Sequence, residues 1–285
     1  MIKISAAIIA KNNEREIAAC INSINGVDEV IVLDTGSNDK TTYVASGLGA
    51  RVYYYRWEDD FSAARNRCLE YTHNPWILSI DTDEILETPV EAMYNLLREN
   101  FTKKVISFPI ADREKTFWGA RLFRKSLCHY EGEIHEQLNV NPDLYTDEIK
   151  IWHNPSPNHQ KDPLRNIAIL RRVVEKGNTS QRDIFFLGVE LHAARQYDAA
   201  LYWMQYYLQI APRTQNYTSE VYYLMADCYC NLHRVSRAID CLMKAAESNP
   251  EMKCVYEKLS QLTKDEKWDE KPLFIPFMIA GGKLL

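Results

Sequence analysis

The sequence predicts an α/β domain on a mixed, mostly parallel sheet, followed by an all-helical region. Three observations carry this reading. Over the first ~100 residues, apolar strand-type runs alternate with segments of helical spacing, the pattern of a parallel sheet with crossover helices. At Asn154-Pro-Ser-Pro-Asn158 the texture changes to a linker or turn, and everything beyond it reads as helix. Within residues ~182–250 a pattern of small and large residues recurs, the mark of stacked helical hairpins. The expected organisation is a sheet domain over 1–155, a linker and helix over 156–180, helical hairpins over 181–262 and a tail over 263–285.

Each element has its own signal. Lys3–Ala10 is an apolar strand, and Glu14–Ile24 has helical spacing through Ile17, Cys20, Ile21 and Ile24. Glu29–Asp34 is a second strand that ends in a carboxylate, Lys40–Gly47 a short helix and Arg51–Tyr55 a third strand. Phe61–Tyr71 reads as a helix, and Trp76–Asp81 as a fourth strand. Pro89 opens a helix through Asn100, at a first-turn position that suits proline. Val105–Pro109, Arg121–Arg124, Cys128–Tyr130 and Ile149–Trp152 read as shorter strands of a mixed sheet. In the helical region, Leu187-Gly188, Leu191, Ala200, Met204 and Pro212 set a pattern that Met225-Ala226, Tyr229, Ala238, Leu242, Ala245 and Pro250 repeat. The two prolines are 38 residues apart, which places a short insertion near Asn216–Ser219. This spacing resembles the tetratricopeptide repeat, with ordinary hairpins as the plainer alternative.

Composition bounds the function. The chain is 46% hydrophobic and 26% charged, globular rather than disordered. The N-terminal run Met1–Ala10 leads into Lys11-Asn-Asn-Glu14 with no cleavage site, so a strand is expected rather than a leader. No apolar run reaches the ~18–20 residues of a membrane span, so no transmembrane segment and a cytoplasmic location are expected. Leu273-Phe-Ile-Pro-Phe-Met-Ile-Ala280 is apolar but short, and is expected to pack as a tail. Seven cysteines without a CxxC pair read as buried thiols. Residues 1–160 hold 17 Lys+Arg against 24 Asp+Glu, which argues against general nucleic-acid binding through that half. Lys161, Arg165, Arg171, Arg172, Lys176 and Arg182 form a basic stretch. A solvated helix face is the favoured reading there, and an anionic acceptor site the sharper one.

The chemistry concentrates in Trp76-Ile-Leu-Ser-Ile-Asp-Thr-Asp-Glu84. A buried strand ending in Asp81-Thr-Asp83 sets hard oxygen ligands at a sheet edge, which suits Mg²⁺ or Mn²⁺ bound to substrate phosphates. Glu84 is expected to point away from it in an extended segment. Polar groups at strand carboxyl ends face the ligand crevice of an open α/β sheet. Asn13 and Glu14 follow the first strand, where they can bond a ribose or base, or cap the next helix. Asp34 ends the second strand and can accept from a base or hold a turn, while Asp39 suits the cap better. Asp60-Phe-Ser-Ala-Ala-Arg-Asn66 opens a helix whose first turns bring Arg65 and Asn66 toward a phosphate. Arg121 and Arg124 alternate with apolar residues on a strand; a clamp on a diphosphate or acceptor and a solvated edge are both open.

These blocks, Ile8-Ile-Ala-Lys-Asn-Asn-Glu14, Val30-Ile-Val-Leu-Asp-Thr-Gly-Ser-Asn-Asp-Lys-Thr41, Trp57, Asp60–Asn66 and Asp81-Thr-Asp83, come in one order over ~75 residues. Together they resemble a family 2 glycosyltransferase of the GT-A fold, a Rossmann-like sheet. The helical tail is similar to that of a bacterial branch with lipopolysaccharide core and peptide glycosyltransferases. The resemblance implies a transferase for a nucleotide-sugar, commonly a UDP-sugar. Asp83 would bind the metal, Asp81 the ribose or metal-bound water, Asp34 the base, and Arg65 and Asn66 the nucleotide. It also matches His135-Glu136, in Tyr130-Glu-Gly-Glu-Ile-His-Glu136, to a His-Glu pair of that branch. Glu136 is then the candidate base, with Glu133 as competitor, and His135 would position acceptor or phosphate. His153, in Ile-Trp-His-Asn-Pro, resembles the later histidine that completes the metal shell.

The expected activity is therefore metal-dependent, inverting sugar transfer, with Mn²⁺ or Mg²⁺ as cofactor. The acceptor stays open between a saccharide or lipid-linked glycan, a peptide or protein, and a modified DNA base. The helical region would shape the acceptor site or mediate a homodimer. Two rival readings are a non-catalytic adaptor with a degenerate nucleotide-binding domain, and a nucleotidyltransferase. The latter lacks a Gly-rich, basic triphosphate loop after the first strand.

Overall fold

The computed structural model describes residues 2–113, 115–155, 163–177, 179–211 and 217–265. Residues described up to 155 fall in one compact unit and those from 163 in another. The expected turn at 156–158, Pro212, the insertion at Asn216 and the apolar tail 273–280 lie outside the described residues.

In the first unit, strands and helices alternate as β1 (Ile4–Ala10), α1 (Ile17–Ser23), β2 (Glu29–Asp34), α2 (Thr41–Gly47), β3 (Arg51–Tyr54), α3 (Phe61–Glu70) and β4 (Trp76–Ser79). There follow β5 (Glu84–Leu86), α4 (Val90–Glu99), β6 (Val105–Ala111), β7 (Thr116–Arg124) and a 3-10 turn, Lys125–Leu127. Short strands close the unit: β8 (Tyr130–Glu131), β9 (Gln137–Leu138), β10 (Leu144–Tyr145) and β11 (Ile151–His153). The main sheet runs β3-β2-β1-β4-β7-β6-β11-β5, with β10 beside β6, while β8 and β9 form a separate hairpin. The first four strands are parallel. β7 is antiparallel to both neighbours, and β5 to β11. The parallel, Rossmann-like winding thus covers one half of a mixed sheet and is not carried across it.

Alternation along β1 divides the core. Ile4, Ala6, Ile8 and Ala10 join Ile17, Cys20, Met93 and Leu97 of α1 and α4 on one face. Ala7, Ile31, Leu33 and Ile77 meet Ala64, Cys68 and Leu69 of α3 on the other, with Tyr130 and Leu138 of the hairpin. One boundary differs from expectation. β4 stops at Ser79, not Asp81, because Asp81–Glu84 is a turn closed by the Glu84 N–H on the Asp81 carbonyl at 3.0 Å.

The second unit is helical: α5 (Pro163–Glu175), α6 (Gln181–Ala193), α7 (Tyr197–Ile210), α8 (Thr218–Asn231), α9 (Val235–Ser248) and α10 (Lys253–Thr263). Ser180 and Asp183 form a reciprocal capping box on α6. A Cβ on Gly188 would stand 3.0 Å from Met204 Cγ, so glycine permits the close α6–α7 crossing. The α6–α7 and α8–α9 turns are superimposable in their bonding. Arg195 (φ 58°) and His233 (φ 57°) are left-handed, and the next residues, Gln196 and Arg234, donate to Leu191 and Tyr229 carbonyls at 2.9 and 2.8 Å. Arg165, Arg171 and Arg172 lie on the exposed side of α5, as a solvated face requires. Among the described residues no helix is long and apolar enough to cross a membrane, and all seven cysteines are free thiols.

Asp227 ties three of these helices together. Its carboxylate meets His192 Nε2 of α6 at 2.7 Å and the Lys258 ammonium of α10. The hydrogen bond with His192, reinforced by Lys258, holds this carboxyl well below the usual range against burial. A depressed folded value stabilises above the unfolded pKa and is lost as pH falls through the folded one. Asp227→Ala is therefore expected to cost about 1.5–3 kcal/mol at neutral pH. The gap between wild type and variant should narrow as pH drops below about 4, as read from urea unfolding at a series of pH values.

Candidate active site

The parallel strands determine where the polar loops gather. Ala10 pairs with Asp34 and Ala7 with Ser79, so the segments after β1, β2 and β4 share one sheet edge. α3 starts at the same edge. Asp60 caps it, accepting from the Ala63 N–H and the Ser62 hydroxyl at 2.8 Å each, and its second turn carries Arg65.

Asp81 lies between two guanidinium groups. Arg65 Nη2 donates to Asp81 Oδ1 at 2.8 Å, and Arg65 Nε to Glu136 Oε1 at 2.6 Å. Arg121 Nη2 donates to Glu84 Oε1 at 2.6 Å and to Asp81 Oδ2 at 3.4 Å. Glu84 Oε2 accepts the Asp81 N–H at 3.0 Å. The result is an alternating chain, Glu84–Arg121–Asp81–Arg65–Glu136. The Glu84 side chain is 2% exposed and that of Arg65 11%, so each charge needs the next. Burial pushes the Asp81 carboxyl up, but Arg65 and Arg121 outweigh it and hold it below its usual range. Burial raises Glu84 above the usual carboxylate value against the pull of Arg121, and Asp81 adds to the rise.

Asp83 is buried beside this chain, and its Oδ2 stands 3.3 Å from His153 Nε2. The approach is made by sheet pairing. β11 runs antiparallel to β5 with His153 opposite Glu84, and the Asn154 N–H donates to the Asp83 carbonyl at 2.8 Å. The contact with Asp83 raises the His153 imidazole above its ordinary value, against burial. Cis ligands of an octahedral ion, at about 2.0–2.1 Å, lie roughly 3 Å apart, so this pair fits two positions of a Mg²⁺ or Mn²⁺ shell. Among the described residues no group of three or more His, Cys, Asp or Glu is placed so that it could hold an ion by itself. The remaining positions would fall to substrate oxygens and water.

The β8–β9 hairpin presents the remaining candidates. Asn66 holds it, donating to the Tyr130 carbonyl at 2.9 Å and accepting its N–H at 2.8 Å. Both ends of the Asn66 amide are therefore engaged in positioning the hairpin. The Phe61 N–H donates to the Glu133 carbonyl at 2.9 Å, which joins the hairpin loop to the start of α3. His135 in that loop has φ 54°, a conformation that costs energy in a non-glycine residue. Glu136 follows it onto Arg65, with Oε2 left without a hydrogen bond among the described residues.

The nucleoside candidates form a second network at this edge. Asp34 is buried, and its carboxylate accepts from the Gly36 and Ser37 N–H groups at 3.1 and 3.0 Å. Asn13 Oδ1 accepts the Lys11 N–H at 3.0 Å, and the Asn13 N–H donates to Thr41 Oγ1 at 2.7 Å. Glu14 is exposed and accepts the Lys40 N–H at 3.0 Å, while its own N–H donates to Asp39 at 3.1 Å. Asp39 also caps Thr41, in line with its expected structural role.

Two expectations need correction. Arg124 does not join Arg121. Its pairing opposite Trp76 puts it at the amino end of β4. There it lies 4.7 Å over the Trp76 ring and donates to the Lys103 and Phe101 carbonyls. An offset of three along a strand reverses the face. Glu84 does not point away, because the chain turns after Asp81 instead of extending. Sequence reasoning also missed Cys20 of α1, whose buried thiol donates to the Asp81 carbonyl at 3.3 Å. Its place on an apolar helical face gave no sign of that contact.

The family described as Glycosyl transferase family 2 matches residues 5–152. SPbeta prophage-derived glycosyltransferase SunS of Bacillus subtilis is 29% identical over 207 residues, 66% of this chain and 49% of that protein. TPR repeat-containing protein Synpcc7942_0270 of Synechococcus elongatus is 36% identical over 148 residues, 49% of this chain and 36% of that protein. The chain thus spans half or less of the length of these relatives. A structure of S. aureus TarS 1-349 in complex with UDP-GlcNAc is 12% identical with a TM-score of 0.52, over 86% of this chain and 91% of that one. At that identity the likeness concerns the fold alone.

The charge chain makes a stability prediction. Glu84→Ala leaves the Arg121 guanidinium buried with one distant anion, and should cost about 3–5 kcal/mol in urea unfolding. Glu84→Gln keeps one acceptor oxygen, for Arg121 or for the Asp81 N–H but not for both, and should cost less.

Proposed function

The chain belongs to glycosyl transferase family 2, and from that premise we propose that it transfers a sugar, with inversion, from a UDP-sugar to a nucleophile set against Glu136. The observation that carries the reading is the convergence at one sheet edge. Asp81 sits between Arg65 and Arg121, Asp83 lies beside His153, and among the described residues Glu136 is fixed through one oxygen only. Asp83 and His153 would hold a Mn²⁺ or Mg²⁺ ion, which supplies charge neutralisation to the departing diphosphate. Arg65 and Arg121, each shared between two carboxylates, set two guanidinium groups at the same edge, where they offset part of the charge that a diphosphate would meet. Asn13, Glu14 and Asp34 border the crevice for the nucleoside. The uridine class is supported by the TarS complex, whose fold this chain shares.

Inversion requires one displacement. The acceptor oxygen forms its bond to the anomeric carbon as the carbon–phosphate oxygen bond breaks, and the acceptor proton goes to Glu136 Oε2. Arg65 orients that carboxylate through Oε1. His135 stands next to it, at a point where it can position the acceptor. For the helical unit we propose two tetratricopeptide-like hairpins. The matched turns at Arg195 and His233, and the repeat protein from Synechococcus among the relatives, support this.

The test is nucleotide release from UDP-, GDP-, CMP- and dTDP-sugars with Mn²⁺, by wild type and Asp83→Ala. Slow hydrolysis of a UDP-sugar, lost in the variant, is expected. Silence across the panel, with no donor raising the melting temperature, would point to the adaptor reading instead. Glu136→Gln should bind donor as wild type does while transfer falls by roughly 10²–10⁴.

A further inference from the structure

The helical unit has a groove of about 380 Å³ between α7, α8 and α9 that no role above uses. Its floor is apolar, from Leu208, Met225 and Cys241. Its walls carry two matched pairs. The Arg237 guanidinium lies 5.8 Å over the Tyr229 ring, and the Lys244 ammonium 5.7 Å over that of Tyr222. Both partners recur at seven-residue spacing, so the pairs form a two-step ladder between the antiparallel helices α8 and α9. Asp240 sits between the two cations on α9, three residues from one and four from the other. It makes no ion pair with either among the described residues, since both turn to the tyrosines.

The α7 rim extends this wall. Tyr202, Gln205, Tyr206 and Gln209 fall at i, i+3, i+4 and i+7 on one exposed face. Tyr202 is 63% exposed and Tyr206 40%. Trp203 holds both edge-on, at 5.2 and 6.0 Å. Gln205 donates to the Tyr229 hydroxyl at 3.4 Å, linking rim to ladder. Two tyrosines kept rigid at the surface are contact area that a ligand need not order.

We propose that this groove is a saccharide-binding site for one or two pyranose rings, and the proposal does not depend on the donor chemistry assigned to the other unit. The donor set argues for a polyol. Two cations, two amides and two phenols can donate to hydroxyl oxygens, while Asp240, the amide carbonyls and the phenol oxygens accept from hydroxyl protons. A purely anionic ligand would meet Asp240, and an apolar one would cover the exposed charged heads of Arg237, Asp240 and Lys244 without bonding them. The exposed tyrosines offer flat faces to the C–H side of a pyranose. The volume lies at the small end of ligand pockets, fit for a sugar rather than a folded partner.

Saturation-transfer NMR on the full chain tests this. The probes are methyl β-glucoside, methyl N-acetyl-β-glucosaminide, cellobiose, maltose, lactose and chitobiose, each up to about 10 mM, with UDP and diamagnetic Mg²⁺ present to fill the donor crevice. Signal from ring protons of at least one probe is expected. Its affinity should fall roughly tenfold or more in Asp240→Asn, Arg237→Gln and the pair Tyr202→Ser with Tyr206→Ser. Melting temperature and donor hydrolysis should stay unchanged in the same proteins. Absence of signal from every probe, or equal signal from wild type and variants, would overturn the proposal. Competition of polyglutamate for these same residues would also overturn it, and assign the groove to acidic peptides. Loss of donor hydrolysis in wild type with saccharide signal retained would refute the donor reading alone.

Discussion

Asp81 is the constraint on which the first unit depends. This half-buried carboxylate, at the end of a buried strand, is partly cut off from water, and two guanidinium groups hold its charge. Each arginine then requires a second anion, which Glu136 and Glu84 provide. In this way five segments, the ends of β4 and β5, α3, β7 and the β8–β9 hairpin, are fixed at one sheet edge by a single run of charge. The geometry of the candidate base and of the turn that carries Asp83 both follow from it. Such a chain adds little stability against an apolar alternative, but losing any member strands its neighbour.

The parallel half of the fold was legible because its signals are local. Strand runs, helical spacing and carboxylates at strand ends fall within ten residues of one another, and β1 to β4 form as the pattern predicts. What remained hidden is long-range. Arg65 and Glu136 are 71 residues apart and Arg121 and Asp81 40. No spacing rule pairs residues across such distances. The resemblance put Asp83 and His153 on one metal, but only the antiparallel β5–β11 pairing shows what brings them to 3.3 Å. Arg124 misled because periodicity within a strand gives neither its direction nor its neighbour. Glu84 misled because the strand ended two residues earlier than expected and a turn, not an extended segment, followed Asp81.

The helical unit follows another logic. Its order comes from repetition: a glycine at one crossing, matched left-handed turns, and a carboxylate shared among α6, α8 and α10. The recurrence of small residues predicted the hairpins. The shared carboxylate and the tyrosine ladder depend on which helices become neighbours, and single residues do not announce that. The carboxylate works between the helices, while the tyrosine ladder lines an open groove.

The central claim is that the carboxyl edge around Asp81 holds the donor, with Asp83 and His153 on its metal. Anomalous diffraction from crystals grown with Mn²⁺ and UDP tests it most directly. The account predicts a manganese peak within about 2.5 Å of Asp83 and His153, with the diphosphate on its open side facing Arg65 and Arg121. A manganese site elsewhere, or a nucleotide bound away from this edge, would contradict it.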